Sequence, residues 1–114
     1  MPTFKAEMEK LTNSGIRKVI RHFSSYNLAQ AVLYENDSVR DLVRQNMYEV
    51  NWQSVVTYIA DFDRTLRYDP DAFRFSSKTV QGKIIKQIED SITNGELVVG
   101  DIREVLIPAY VFHH

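Results

Sequence analysis

Two carboxylates stand two positions apart in the stretch with the densest run of large apolar residues. Asp61 and Asp63 lie in the string Asp-Phe-Asp-Arg-Thr, residues 61–65. If a buried strand ended at Ala60, both carboxylates would stand in the segment directly after it. The five residues from Val55 to Ile59 are β-branched or aromatic, as is typical of such a strand.

This D-x-D-x-T string resembles the first motif of the haloacid dehalogenase phosphatases, in which the first Asp is the nucleophile and the second the acid/base. The resemblance covers about a dozen residues. It would imply a doubly wound sheet and a Mg²⁺-dependent phosphatase. However, Arg64 stands where that family usually has glycine, and the chain after Leu66 is too short for several βαβ units of about 30 residues each. We therefore interpret Asp61 and Asp63 as solvated helix residues and predict no catalytic site, no metal site and no cofactor.

The elements around these carboxylates have helical periodicity. The large apolar side chains of this stretch recur at spacings of three and four, which places them on one stripe of a helix. They are Trp52, Val55, Val56, Ile59, Phe62 and Leu66. We predict a helix from Asn51 to Leu66, with Asn51 as its N-cap, and we expect this helix to be the centre of the core.

Similar spacing predicts the other helices, and the fold class is mainly α: a compact bundle of about five helices in one domain, residues 1–114. Two helices, over residues 4–11 and 16–23, are separated by an interruption at residues 12–15, where Asn13 or Ser14 caps the second helix. Alternatively, a single helix runs from Thr3 to His22 with a weak point at Gly15. Further helices cover residues 28–34, residues 38–47 (capped by Asp37 or Ser38), and residues 78–93 (capped by Ser76 and Ser77, and ended by Gly95).

Short extended segments are predicted between or after these helices, towards the C-terminus. They lie at residues 73–75, 97–99 and 110–112. Phe73 and Phe75 alternate with Arg74 and are expected to pack on the core. An alternative α+β fold would pair the three segments into a small sheet.

Composition narrows the function classes. The chain has 114 residues, 14 Lys and Arg, 15 Asp and Glu, a net charge of −1 and no cysteine. The absence of cysteine excludes a disulfide-stapled fold. A net charge this close to zero gives no electrostatic field strong enough to attract nucleic acid or an acidic membrane from a distance. No apolar run approaches the ~18 residues that span a bilayer, and the first ten residues lack an apolar signal region. We expect a soluble, cytoplasmic protein.

Two groups of residues are candidates for contact with a partner. Arg17, Lys18 and Arg21 form the one basic cluster, on a predicted helix that also carries His22. Tyr110 and Phe112 belong to an apolar C-terminal tail that is predicted to be either an edge strand or a strip docked on a partner, which is compatible with a homodimer.

The function predicted from these features is a small, non-enzymatic interaction or regulatory protein, such as an adaptor, an inhibitor or an immunity-type protein. The six tyrosines favour it, because some must reach the surface of so small a helical domain and tyrosine is common at interfaces. The alternative is a nucleic-acid-binding regulator that uses the basic helix face around residues 17–21.

Overall fold

Polar residues that accept hydrogen bonds from free backbone N–H groups mark the start of most helices in the computed structural model, which describes residues 3–103. The six α-helices are α1 (Phe4–Glu9), α2 (Asn13–Ile20), α3 (Ser25–Val32), α4 (Asp37–Arg44), α5 (Glu49–Thr65) and α6 (Pro70–Thr93). Short 3₁₀ turns follow at Leu66–Tyr68 and Val99–Asp101. The predicted mainly α class is confirmed, with six helices where about five were expected.

The capping side chains differ from the predicted ones. The caps that accept a backbone N–H are Thr3, Thr12, Ser24, Asn36 and Asp69. The predicted caps at Asn13 or Ser14, Asp37 or Ser38, and Asn51 were wrong by one to three residues, because a polar residue just upstream took the role or the helix began earlier. Tyr48 precedes α5 and provides no side-chain cap.

The beginning of α6 is the largest departure from the sequence prediction. Residues 73–75 were predicted to be extended, with Ser76 and Ser77 as helix caps, but all of them lie inside α6. Asp69 accepts from the N–H of Ala72, and Pro70 occupies the first turn, where its missing N–H has no helical partner to lose. Phe75 is 73% exposed and does not pack on the core.

We expected α5 to be the centre of the core, but the core is organised around α3 instead. α3 packs against both long helices, α5 and α6. Its buried residues include Ala29 and Ala31, whose small side chains let neighbouring backbones approach. α5 contributes a narrower stripe, namely Trp52, Val55, Ile59 and Phe62, whereas Val56 is exposed.

The α+β alternative is wrong for the part of the chain that can be described. Within residues 3–103 the β pairing consists of one isolated antiparallel bridge between Leu11 and Ile102. Residues 97–99 form no strand, and a 3₁₀ turn begins at Val99. The predicted extended segment at residues 110–112 lies outside the described residues.

The segment after α6 returns to the start of the chain. Gly95 has a positive φ of 82° and ends α6 as predicted. The carbonyls of Gly100 and Asp101 then accept from the side chain and the backbone N–H of Thr12, and the N–H of Arg103 donates to the carbonyl of Lys10. These bonds hold the returning segment against the N-terminus of α2, and so they position the basic side chains of that helix.

None of the helices within residues 3–103 combines the length and the apolar character needed to cross a membrane.

Candidate functional site

A groove of about 540 Å³ opens between the C-terminal half of α2, the start of α3 and the turn that joins α4 to α5. We call it the arginine groove, because Arg17 and Arg21 lie along it. Its floor is apolar and its walls are polar. The lining residues are Arg17, Ile20, Arg21, Phe23, Ser25, Leu28, Gln45, Asn46, Met47, Tyr48 and Asn51.

Local sequence explains why these residues converge. Ile20 and Leu28 are buried members of the α2 and α3 stripes, so they form the floor, while Arg17 and Arg21 lie one turn apart on the edge of α2. The α4–α5 turn places Tyr48 at the opening, where it is 81% exposed.

Arg17 is held in place by a buried amide. Its guanidinium donates to Oδ1 of Asn46 at 3.2 Å, and Asn46 is only 8% exposed. The amide nitrogen of Asn46 donates to Oδ1 of Asn13 and to the carbonyl of Leu42. Because each polar atom of Asn46 has a partner, its oxygen is fixed towards Arg17.

Arg21 and His22 meet a carboxylate from the segment after α6. Arg21 donates to Oε1 of Glu96 at 2.8 Å, and Nε2 of His22 lies 2.9 Å from the same oxygen. The hydrogen bond with His22 is the main reason that the pKa of Glu96 lies below its ordinary value, and Arg21 lowers it further.

Lys18 faces away from the arginine groove. It donates to Oδ2 of Asp101 at 2.8 Å and to the carbonyl of Glu96. Asp101 also accepts from the hydroxyl of Ser14 and from the N–H of Val98, and it is 2% exposed. The Lys18 hydrogen bond, followed by those from Val98 and Ser14, lowers the pKa of Asp101 to about 2.

An aromatic cluster extends from the groove along α5. We call Tyr26, Tyr58, Phe62 and Phe73 the aromatic ridge. The ring of Tyr26 meets Tyr58 edge-on at 5.2 Å and Phe62 at 5.4 Å, and Phe62 lies 5.6 Å from Phe73. Tyr26 is 45% exposed and Tyr58 37%. The ridge thus presents two tyrosines to solvent over a buried phenylalanine.

The groove and the ridge lie on the same side of α5. Asn51 lines the groove, and Tyr58 and Phe62 follow it by seven and eleven residues, which returns to the same helical stripe. At the start of α3, Ser25 lines the groove and the next residue, Tyr26, belongs to the ridge. The two features therefore adjoin along α3 and α5, and we call them together the α3–α5 face.

The paired carboxylates of the D-x-D-x-T string do not converge. They lie inside α5, and residues two apart on a helix point in roughly opposite directions, about 200° apart. Asp61 pairs with Arg64 on the exposed surface. Among residues 3–103, no cluster of three or more His, Asp or Glu side chains is arranged to hold a metal ion.

The sequence-predicted partner residues fall into three places. Arg17 and Arg21 line the arginine groove, Lys18 joins α2 to Asp101, and Tyr110 and Phe112 lie outside the described residues. No protein-family model, curated protein or solved structure matches this chain.

Sequence reasoning missed three residues that shape this region: Asn46, Glu96 and Asp101. Asn46 adjoins the turn between α4 and α5, whereas the predicted helix over residues 38–47 included it. Asp101 was not predicted to contact α2. Its actual partner, Lys18, precedes it by 83 residues, and a local pattern carries no signal for such a pair.

Proposed function

We propose that this protein acts by binding another protein through the α3–α5 face, and that it catalyses no reaction of its own. The observation that supports the proposal is the composition of that face. Arg, Tyr, Phe and Met residues gather around an apolar floor, and these residue types are enriched at protein interfaces.

The shape of the face also favours a protein partner. A concave end with two arginines adjoins a convex end with two half-exposed tyrosines, so a partner would contact both a pocket and a ridge. Interfaces of this kind concentrate their binding energy in a few aromatic and arginine side chains. Tyr48 stands at the opening of the groove with most of its ring free to be covered.

Photocrosslinking in the source cells would test this proposal. Tyr48 or Tyr26 is replaced by p-benzoylphenylalanine, and covalent adducts are identified by mass. The control position is Lys83, an exposed residue of α6, a helix that contributes nothing to the groove lining. We expect one protein adduct from positions 48 and 26 and none from position 83.

The same experiment separates the alternatives. An adduct with a second copy of the chain would identify the partner as the protein itself, in a homodimer. An adduct with RNA or DNA would support the nucleic-acid-binding regulator instead. Adducts that form equally at all three positions, or that do not form, would contradict the assignment of this face.

A further inference from the structure

Of the two arginines that line the groove, Arg17 is the one that forms no ion pair with a carboxylate within residues 3–103. Within residues 3–103, Lys18 pairs with Asp101 and Arg21 with Glu96, whereas the ion pairs include none for Arg17. Its hydrogen bond goes to the neutral amide of Asn46. Since a guanidinium has five N–H donors in a planar fork, most of the donors of Arg17 have no acceptor within residues 3–103.

This cation is also pre-organised. Asn46 is buried and held by Asn13 and Leu42, so it restrains the arginine head before any ligand arrives. Restraining a long side chain in advance lowers the entropy lost on binding. A solvated arginine without such a restraint would give less specificity at the same charge.

Among residues 3–103, no carboxylate lines the groove, and Glu96 contacts Arg21 from outside the lining. The described residues that line it include two arginines and no Asp or Glu. Its floor is made by Ile20 and Leu28, with Phe23 and Met47 half-buried against the core. A ligand that matches it must carry negative charge beside an apolar group. The volume lies within the range of roughly 300–1,000 Å³ that holds a few side chains.

From this complementarity we propose that the arginine groove binds an Asp or Glu side chain of a partner protein, within a segment that also inserts an aromatic or aliphatic side chain. Arg17 makes the charged hydrogen bonds, and the floor covers the apolar side chain. This inference rests on the proposed function and names the chemistry of the segment that the α3–α5 face recognises.

A pair of short peptides tests the charge requirement. The acidic probe is acetyl-Ser-Leu-Glu-Phe-Ser-amide, and the neutral probe has Gln in place of Glu. Each is titrated into ¹⁵N-labelled protein, and the backbone signals of Gln45, Asn46 and Tyr48 are followed by NMR. We expect the acidic peptide to bind about tenfold more tightly than the neutral one, and this preference to weaken in 0.5 M salt.

Two variants locate the charge. Arg17→Gln removes the proposed contact and should abolish the preference for the acidic peptide. Arg67→Gln removes an exposed guanidinium that lies in the 3₁₀ turn after α5, outside the groove, and should leave the preference intact. The two variants lower the net charge equally, so a difference between them cannot come from net charge.

Three results would overturn the inference. One is equal binding of the two peptides, and another is the absence of shifts at residues 45–48. The third is a stronger response to inorganic phosphate than to the acidic peptide, which would reassign the groove to phosphate groups. If position 48 still gave a protein adduct after any of these results, the proposed function would stand. Only the proposed binding of an Asp or Glu side chain in the groove would be wrong.

Discussion

Gly15 of α2 faces the backbone carbonyl of Asp101 with no room for a side chain between them. A Cβ at position 15 would overlap the oxygen of that carbonyl. The sequence predicted that Gly15 belongs to an interruption between two helices. In the structure Gly15 lies inside α2. It is a contact point at which the segment after α6 closes on the first turn of α2.

Replacing Gly15 by alanine should destabilise the protein, although alanine is the better helix former. The overlap with backbone atoms should lower the free energy of unfolding by roughly 1–3 kcal/mol, which exceeds the gain in helix propensity of about 1 kcal/mol. Urea denaturation followed by the fluorescence of Trp52, the single tryptophan, measures the change.

Gly82 provides the matched control. It lies within α6, and a Cβ there would meet no atom within 4 Å. Gly82→Ala should therefore raise the free energy of unfolding by about 0.5–1 kcal/mol. If both alanine variants were stabilised, the close approach of Asp101 to α2 would be wrong.

Asp101→Asn should destabilise the protein near neutral pH. The change removes the charge that pairs with Lys18 while keeping the size of the side chain, and the loss should be about 2–3 kcal/mol. Because the folded-state pKa of Asp101 is depressed from 3.8 to about 2, its stabilising contribution is fully present above pH 3.8. That contribution is lost as the pH falls through about 2.

The free energy of unfolding of wild type and Asp101→Asn should therefore converge as the pH falls from about 4 to 2. Urea titrations at several pH values between 7 and 2 measure the difference. A difference that stays constant over that range would show that the carboxylate of Asp101 titrates normally and is not buried against Lys18.

Phe75→Ala should change the free energy of unfolding by less than about 0.5 kcal/mol, since most surface substitutions have effects of this size. Phe75 is 73% exposed, whereas Ile84 on the same helix is fully buried. Ile84→Ala should destabilise by about 2–5 kcal/mol. Comparable losses in the two variants would restore the expectation that Phe75 packs on the core.

The acidic residues around the α5–α6 junction should differ in their effects on stability. Asp69 caps α6 through the N–H of Ala72, so Asp69→Ala should lower the free energy of unfolding by about 1 kcal/mol. Asp63→Ala should have an effect near zero, because Asp63 is exposed within α5. Thermal unfolding by circular dichroism compares the two, and an equal loss would argue against the cap.

The sequence predicted the helices better than the places where they begin. The stripe on α5 and the C-terminal stop of α6 at Gly95 were recognised from periodicity and a single glycine. The start of α6 was missed because the helix was predicted to begin at residue 78 with Ser76 and Ser77 as caps, although Asp69 as an N-cap and Pro70 in the first turn already begin a helix. The alternation of Phe73 and Phe75 reinforced the error, because exposed phenylalanine was not expected.

The candidate site was predictable only in part. Helical spacing alone placed Arg17 and Arg21 on one edge of α2. It could not tell that Arg21 and Lys18 are paired with Glu96 and Asp101, which lie 75 and 83 residues away. Nor could it find Asn46, whose buried amide accepts a hydrogen bond from Arg17. Arg17 therefore has a neutral partner, whereas Arg21 and Lys18 have carboxylates. Long-range partners of this kind are decided by packing.

The bonds between residues 10–12 and residues 100–103 set the order in which the fold is completed during synthesis. The hydroxyl and N–H of Thr12, at the start of α2, use carbonyl acceptors that the ribosome delivers almost ninety residues later. Contacts of such large sequence separation form late, because the long intervening loop must close first. α1 and α2 therefore lack these contacts until residues 100–103 have been synthesised and have left the exit tunnel.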